Sequence, residues 1–411
     1  MRKLTGLILL QPLLWLCLCT PDKEASSQQT EVEVAMEKQD LTEEAYAWAD
    51  SVARSMPLES QAAQLLMPAV YARSDTRSMA KLREYADMHI GGLVLLRGDV
   101  SAITAIADTL HAIELADSAF QSMFLAIDAE TGLNMRLKDA PSFPWNSRVD
   151  ERVDDQTFFD YGAEIGREAD LIGINMILGP VVDIVRLIEG KGIMKLRSLG
   201  YDKERVAALG AAYSKGVESK GVISVAKHFP GHGPTSVDTH KGLARISKER
   251  TELESVDLFP FKTLTDNATS GVMVGHIWAP ALDSVKRPAS FSPVVINEIL
   301  KGELDFKGLV IVDALGMGGA KGFTSADAIA SGADIILAPV NTLQEINNII
   351  EAVEAGKLSR EDVLDRCRRV LFYKYLFNIP GKQRPSYGMS YEELIDELFL
   401  QAEPIRRDLS R

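Results

Sequence analysis

Eight short apolar segments recur along this chain, with longer helix-like stretches between them, and this alternation strongly constrains the fold. The segments are residues 64–69, 92–96, 124–128, 174–182, 222–227, 272–276, 309–313 and 334–338. Near-continuous hydrophobic strands that alternate with helices predict a parallel sheet covered on both faces. Eight such units are the number that closes an α/β TIM (β/α)8 barrel. A doubly wound open sheet is the alternative.

Polar side chains stand where five of these segments end. They are Asp128 and Glu130, Asp183, Lys227 and His228, His276, and Asp313. An open parallel sheet gathers its functional groups at one switch point, whereas a barrel collects loops from all of its strands at one face. Polar residues spread over many strand ends therefore favour the barrel, and they predict a site at its carboxyl face.

The two ends of the chain do not share this alternation. Arg2 and Lys3 precede an apolar stretch over residues 4–18, which is too short and interrupted for a membrane span and is typical of an export signal. The polar stretch that follows lacks apolar periodicity, as a tether does. The predicted parts are an export signal over residues 1–19, a tether over 20–44, a single barrel domain over 45–380 and a helical extension over 381–411.

Two of the three cysteines, Cys17 and Cys19, stand at the end of the export signal, where a bacterial lipoprotein carries its lipidated cysteine. A small residue usually precedes that cysteine, and here a leucine does, so a cleaved signal with chance cysteines is the alternative. Both alternatives predict an exported protein, either periplasmic or anchored to a membrane. Cys367 alone would remain after cleavage, which excludes an internal disulfide.

The composition limits the partners of the chain. Its 411 residues are 46% hydrophobic, which is ample for a sizeable core, and they carry a net charge of -13 at pH 7. An acidic surface repels nucleic acid and anionic lipid on average, so we expect no nucleic-acid partner. This composition would suit a monomer.

Residues 227–240 concentrate three histidines, a lysine and a carboxylate. His228 and His232 would need a helix to bind a metal together, and Pro230 between them excludes one; a zinc site in a loop is the alternative, and we expect no metal or other cofactor. Asp238 and His240 are spaced to form a carboxylate–imidazole dyad that shuttles protons. A solvated pair in a loop is the simpler interpretation of the dyad, as helix capping is of Asp128 and Asp313.

The motifs resemble those of family 3 glycoside hydrolases, in particular their single-domain β-N-acetylhexosaminidase branch. The similar stretches are Lys-His-Phe-Pro-Gly-His-Gly at 227–233 with Asp-Thr-His at 238–240, Gly-Leu-Val-Ile-Val-Asp-Ala-Leu at 308–315, and Pro-Ala-Ser-Phe-Ser at 288–292. The resemblance extends over residues 55–380. It implies a carbohydrate substrate and a retaining mechanism with a covalent glycosyl enzyme.

Roles follow from the resemblance residue by residue. It implies that Asp313 attacks the anomeric carbon, while His240, oriented by Asp238, serves as acid and then as base. The residues that would hold the sugar hydroxyls are Asp128, Arg197, Lys227 and His228. The predicted activity is hydrolysis of terminal N-acetyl-β-glucosaminides, with peptidoglycan fragments as substrates. A neutral imidazole repels an anion less than a carboxylate does, so a phosphorylase is one alternative, and a β-glucosidase of the same family is another.

Two stretches depart from the family pattern. Leu133 stands where the family has an arginine, and Lys191 stands where it has an asparagine six residues before Arg197. These substitutions motivate a further alternative, a glycan-binding lipoprotein without catalytic activity. The charge of Lys191 would favour an acidic leaving group such as a muramic acid derivative.

Overall fold

The structure is a computed structural model that describes residues 41–117, 120–185, 194–233, 242–266 and 268–410. The chain divides into a short N-terminal unit, residues 1–44, and a compact unit, residues 45–411. The predicted export signal, Cys17, Cys19 and most of the tether lie outside the described residues and stay predictions, as do the domain boundaries. Within the described ranges no helix is both long and apolar enough to cross a bilayer.

A closed parallel barrel forms the centre of the compact unit. The strands of the described residues are β1 (Leu66–Met67), β2 (Ala69–Val70), β3 (Gly92–Leu95), β4 (Phe124–Ile127), β5 (Met176–Ile177), β6 (Ile223–Phe229), β7 (Ala244–Arg245), β8 (Gly271–Val274), β9 (Ile277–Trp278), β10 (Leu309–Val312) and β11 (Ile335–Leu337). Nine pair in parallel in the order β1-β11-β10-β8-β6-β5-β4-β3-β2. Because β1 and β2 are consecutive, the two ends of this order meet. The barrel prediction is confirmed, and the open sheet is excluded.

Each of the eight predicted segments contains a barrel strand, but some bounds differ. Pro68 divides the first segment into β1 and β2, because proline has no N–H group for the ladder. The predicted end of the fifth strand at Lys227 is wrong by two residues. Pairing continues to Phe229, which lies opposite Val274 after a shift of register. His228 therefore belongs to a barrel strand rather than to the following loop.

Helices cover the barrel. They are α1 (41–55), α2 (Leu58–Ala63), α3 (Thr76–Asp87), α4 (Val100–Ala116), α5 (Asp155–Leu171), α6 (Met194–Arg197), α7 (Lys203–Glu218), α8 (Arg250–Glu252), α9 (Phe259–Thr265), α10 (Ser325–Ala330), α11 (Thr342–Glu354), α12 (Arg360–Leu376), α13 (Tyr391–Phe399) and α14 (Ala402–Leu409). Two π-helices, Leu253–Asp257 and Val294–Glu303, and four 3-10 helices, Leu133–Met135, Asn146–Arg148, Ala289–Phe291 and Gly318–Ala320, complete the described elements.

Helices α5 and α7 pack against each other through glycines. A Cβ on Gly162 would lie 2.2 Å from the Tyr213 carbonyl oxygen, and one on Gly216 would lie 2.1 Å from that of Phe159. Only glycine permits this approach of the two backbones. The close packing holds both helices behind β5 and β6, whose carboxyl ends carry site residues.

The C-terminal residues form two helices. Helix α13, in which Leu394 and Leu398 are buried, and helix α14 both lie within the range 381–411 for which a helical extension was predicted. Cys367 is free and buried in α12, and burial raises the pKa of its thiol to about 12.

Candidate active site

A cavity of about 480 Å³ opens at the carboxyl ends of the barrel strands. The side chains that line it include Asp128, Glu130, Met135, Arg136, Trp145, Arg197, Lys227, His228, His232, Met317 and Asp313. All five of the predicted site residues that the structure describes are among them. Four distant parts of the sequence meet here, because every strand of a parallel barrel ends at the same face and the loops after the strands gather there.

Lys227 projects from β6 into the floor of this cavity and is almost completely buried. Its Nζ lies 2.7 Å from Asp128 Oδ1 and 2.9 Å from Glu130 Oε1. Burial alone would lower the pKa of Lys227, but the two carboxylates outweigh burial and raise the pKa above its ordinary value. Lys227 is therefore a fixed cation, suited to donating hydrogen bonds and unsuited to acting as a base.

Glu130 joins a second cation to this cluster. Arg197 donates hydrogen bonds from Nε and Nη2 to the two carboxylate oxygens of Glu130, and both distances are 2.7 Å. Burial by itself would raise the pKa of Glu130, yet the charges of Lys227 and Arg197 lower it to about 2. A two-point contact of this kind fixes the guanidinium in position as well as in charge.

Arg136 completes the cluster from the loop after β4. Its Nη2 donates to Asp128 Oδ2, while Leu133, at the position where the family has its arginine, is buried in the core. The charges of Lys227 and Arg136 overcome the effect of burial and hold the pKa of Asp128 well below its usual range. The interpretation of Asp128 as a helix cap is therefore wrong, because its oxygens accept from two cations.

Asp313 follows β10 and lines the same cavity. Its Oδ1 accepts a hydrogen bond of 2.7 Å from the backbone N–H of Ala314. Burial would raise the pKa of Asp313, but the hydrogen bond from the Ala314 N–H and the charge of Lys227 oppose burial, and the pKa lies below its ordinary value. The next helical turn begins only at Gly318, so Asp313 caps no helix. An ionised carboxylate that lines a cavity is suited to nucleophilic attack.

His276 supports the backbone next to Asp313 without lining the cavity. Its Nδ1 lies 2.7 Å from Ser290 Oγ and its Nε2 lies 3.1 Å from the Ala314 carbonyl oxygen. A carbonyl only accepts, so Nε2 carries the proton. The ring stacks on Phe291 with the centroids 5.7 Å apart. Burial lowers the pKa of His276, which favours the neutral ring.

Asp183 lies behind the cavity and holds the segment that carries His228. Its Oδ2 is 2.7 Å from His228 Nδ1, and its Oδ1 accepts from the backbone N–H of His232. Burial would raise the pKa of Asp183, but its contacts with the two histidines outweigh burial and lower it. Burial also lowers the pKa of His232.

Three predicted residues lie outside the described residues, namely Asp238 and His240 of the dyad and Lys191. Sequence reasoning missed Arg136, because only position 133 was considered for the arginine of the motif. It noted Glu130 and Asp183 at strand ends but assigned them no role in the site. Two acidic residues two positions apart at a strand end, Asp128 and Glu130, were the available signal for Glu130, whereas the sequence offered no signal for Trp145.

Comparisons with known proteins identify the family of the chain. Residues 57–372 match the family model described as the glycosyl hydrolase family 3 N terminal domain. A beta-hexosaminidase of Chromobacterium violaceum is 31% identical over 264 residues, which are 60% of this chain and 71% of that protein. Beta-hexosaminidase A of Pseudoalteromonas piscicida is 31% identical over 314 residues, 68% of this chain and 52% of its own length. The chain thus spans about half the length of that relative.

Solved structures give the same result. The family 3 β-N-acetylglucosaminidase of Paenibacillus sp. str. FPU-7 has a TM-score of 0.71 at 28% identity, with 86% of this chain and 69% of that chain covered. LpqI of M tuberculosis has a TM-score of 0.69 at 27% identity, with 78% and 95% covered. Because the family model matches most of the barrel, including the strand ends that carry Asp128, Lys227 and Asp313, this chain belongs to glycosyl hydrolase family 3.

Proposed function

We propose that this protein is a retaining β-N-acetylhexosaminidase that hydrolyses terminal N-acetyl-β-glucosaminides through a covalent glycosyl enzyme. The observation that carries the proposal is the position of the Asp313 carboxylate in one cavity with Asp128, Arg197, Lys227 and His228. The names of the relatives, β-hexosaminidase and β-N-acetylglucosaminidase, support an acetamido sugar.

In the proposed mechanism Asp313 attacks the anomeric carbon and forms an ester with the sugar. The low pKa of Asp313 keeps it ionised at neutral pH, as a nucleophile requires. His240, oriented by Asp238, protonates the departing oxygen and then deprotonates the water that hydrolyses the ester. Each of the two displacements inverts the anomeric centre, so the β configuration is retained.

The proposed sugar subsite is formed by the ion-paired cluster. Asp128 accepts hydrogen bonds from hydroxyl groups, whereas Lys227 and Arg197 donate to them. Contacts within the cluster, such as that of Lys227 with Asp128 at 2.7 Å, hold these groups in position before the sugar arrives. Little side-chain entropy is then lost on binding, which favours affinity.

We propose peptidoglycan fragments as the substrate. The predicted export signal would deliver the protein to the compartment that contains them. Arg97, Arg148 and Lys195 are exposed within three residues of the cavity-lining Leu96, Trp145 and Leu196. Over the described part of the chain, none of these three cations forms an ion pair. Exposed cations that are close in sequence to the cavity lining of an otherwise acidic protein suit the carboxylates of muramic acid peptides.

A chromogenic N-acetyl-β-D-glucosaminide and the matching β-glucoside test the activity, each with and without phosphate. We expect release from the acetamido sugar, with the β anomer formed first in the NMR spectrum. Faster release with phosphate, together with a glycosyl phosphate product, would instead indicate a phosphorylase. Release from the glucoside alone would indicate a β-glucosidase.

Asp313→Ala tests the nucleophile, with Asp396→Ala, an exposed carboxylate on α13, as the matched control. Removal of a nucleophile costs on the order of 10³-fold or more in kcat. We expect this loss in Asp313→Ala only, while titration calorimetry still detects binding of N-acetylglucosamine. Full turnover by Asp313→Ala would exclude the mechanism, and binding without turnover by the wild-type protein would support the non-catalytic alternative.

A further inference from the structure

We propose that Asp183 is a positioning residue, which holds His228 as the tautomer with its proton on Nδ1 so that Nε2 accepts a hydrogen bond from a sugar hydroxyl. The hydroxyl contact rests on the proposed function, because it requires a sugar substrate. In that contact the hydroxyl donates and His228 accepts. Asp183 itself does not line the cavity.

The contact between Asp183 and His228 determines the protonation of one ring nitrogen, Nδ1. Asp183 is fully buried, and its Oδ2 lies 2.7 Å from His228 Nδ1. Both carboxylate oxygens also lie 3.3 Å from the backbone N–H of His228. An ionised carboxylate only accepts hydrogen bonds, so Nδ1 must donate. A carboxylate in this position commonly fixes the orientation and the tautomer of an imidazole.

Arg197 determines the protonation of the other ring nitrogen, Nε2. Its Nη2 lies 3.3 Å from His228 Nε2. A guanidinium has only N–H donors, and the two-point contact with Glu130 prevents this one from turning away. A proton on Nε2 would therefore face the N–H group of a cation. Nε2 thus carries a lone pair, and the ring is neutral.

Because His228 Nε2 has a lone pair, this part of the cavity prefers a ligand group that donates a hydrogen bond. A separation of 3.3 Å is long for a hydrogen bond, so an entering hydroxyl can replace Arg197 at Nε2. The hydroxyl then donates to His228 and accepts from Arg197 or Lys227. A fluorine, a sulfate or a carboxylate cannot donate, so each would leave Nε2 without its partner.

The test uses Asp183→Asn. The amide oxygen can still accept from the backbone of His232, but the NH2 group in place of Oδ2 donates to Nδ1 and moves the ring proton to Nε2. The matched control is Asp257→Asn. Asp257 is also buried and packs under Gly231 of the same segment, and it pairs with Lys248 at 2.7 Å without touching His228.

The first measurement is a long-range ¹H–¹⁵N spectrum of the imidazoles in the full chain without substrate. The chain has only six histidines, and loss of a signal in His228→Gln identifies the ring. We expect a protonated Nδ1 and an unprotonated Nε2 in the wild type and in Asp257→Asn, and the reverse in Asp183→Asn. A wild-type spectrum with a proton on Nε2 overturns the proposal, and this result does not depend on whether the variant folds.

The second measurement compares chromogenic N-acetylglucosaminides with their 3-, 4- and 6-deoxyfluoro analogues. At one position we expect the wild type to prefer the hydroxyl about tenfold in kcat/KM, and the preference to disappear in Asp183→Asn but not in Asp257→Asn. Equal preferences in all three proteins overturn the hydroxyl assignment. If the spectrum is the expected one but no acetamido sugar is hydrolysed, the proposed function is refuted while the tautomer of His228 is established.

Discussion

Arg197 and Glu130 form a two-point ion pair at the floor of the cavity, with two N–O distances of 2.7 Å. The same carboxylate lies 2.9 Å from Lys227, so one anion pairs with two cations, and Asp128 supplies a second negative charge to Lys227. Charges removed from water are tolerated only with partners of this kind. Glu130 therefore determines both the geometry of the cluster and much of its cost to folding.

Glu130→Gln should lower both the stability of the protein and its catalytic efficiency. Loss of the carboxylate leaves Arg197 and Lys227 short of negative charge in a buried place, so we expect the free energy of unfolding to fall by about 3 kcal/mol and kcat/KM to fall at least tenfold. Urea denaturation and steady-state kinetics measure both. In Glu254→Gln, which breaks an exposed pair with Arg250, the change should stay below about 1 kcal/mol. Equal effects in the two variants would contradict this role.

Arg136→Leu should affect binding and its pH dependence. Asp128 would keep Lys227 but lose the second cation that lowers its pKa. We expect the acidic limb of the kcat/KM profile to move to higher pH, and kcat/KM at neutral pH to fall about tenfold. Arg77→Leu, on the exposed face of α3, is the control. An unchanged acidic limb in Arg136→Leu would show that Asp128 does not control it.

Acid should destabilise the protein through Glu130. The pKa of this carboxyl is about 2 in the folded protein, against an ordinary value of 4.5, so the unfolded chain binds its proton more readily. The stabilisation is present above pH 4.5 and is lost as the pH falls toward 2. This one group accounts for on the order of 3 kcal/mol. Urea midpoints at pH 6, 5, 4 and 3 should therefore fall more steeply in the wild type than in Glu130→Gln; parallel curves would exclude the effect.

Lys374 should make stability rise with pH in the alkaline range. Its ammonium is buried at the amino end of the barrel, 2.7 Å from Gln64 Oε1 and 5.3 Å from the Phe124 ring centroid. Burial lowers the pKa of Lys374 to about 7, so between pH 7 and pH 10 the unfolded chain holds a proton that the folded chain has lost. The free energy of unfolding should then increase with pH, on the order of 4 kcal/mol over this window.

Lys374→Met tests this expectation by denaturant titration at pH 7, 8, 9 and 10. The slope of stability against pH should be flatter in the variant than in the wild type. Lys307→Met, which replaces an exposed lysine, should keep the wild-type slope. The same slope in all three proteins would show that Lys374 stays charged when buried.

The sequence by itself determined the barrel and the strand ends that face the cavity. Apolar periodicity is a local property, and parallel strands of a closed barrel must all end at one face. Asp128, Lys227 and Asp313 could therefore be placed together although 99 and 86 residues separate neighbouring members of this set. The family motifs around them pointed to the same site.

Only the tertiary structure decided which of these groups touch. The contacts of Arg136 with Asp128, of Asp183 with His228 and of Glu130 with Arg197 depend on the paths of loops between strands. No periodicity governs those paths, and a guanidinium can reach a carboxylate from many positions in a loop. Strand order follows from local patterns that add up along the chain, whereas the pairing of buried charges depends on distances of a few ångströms that exist only once the barrel is closed.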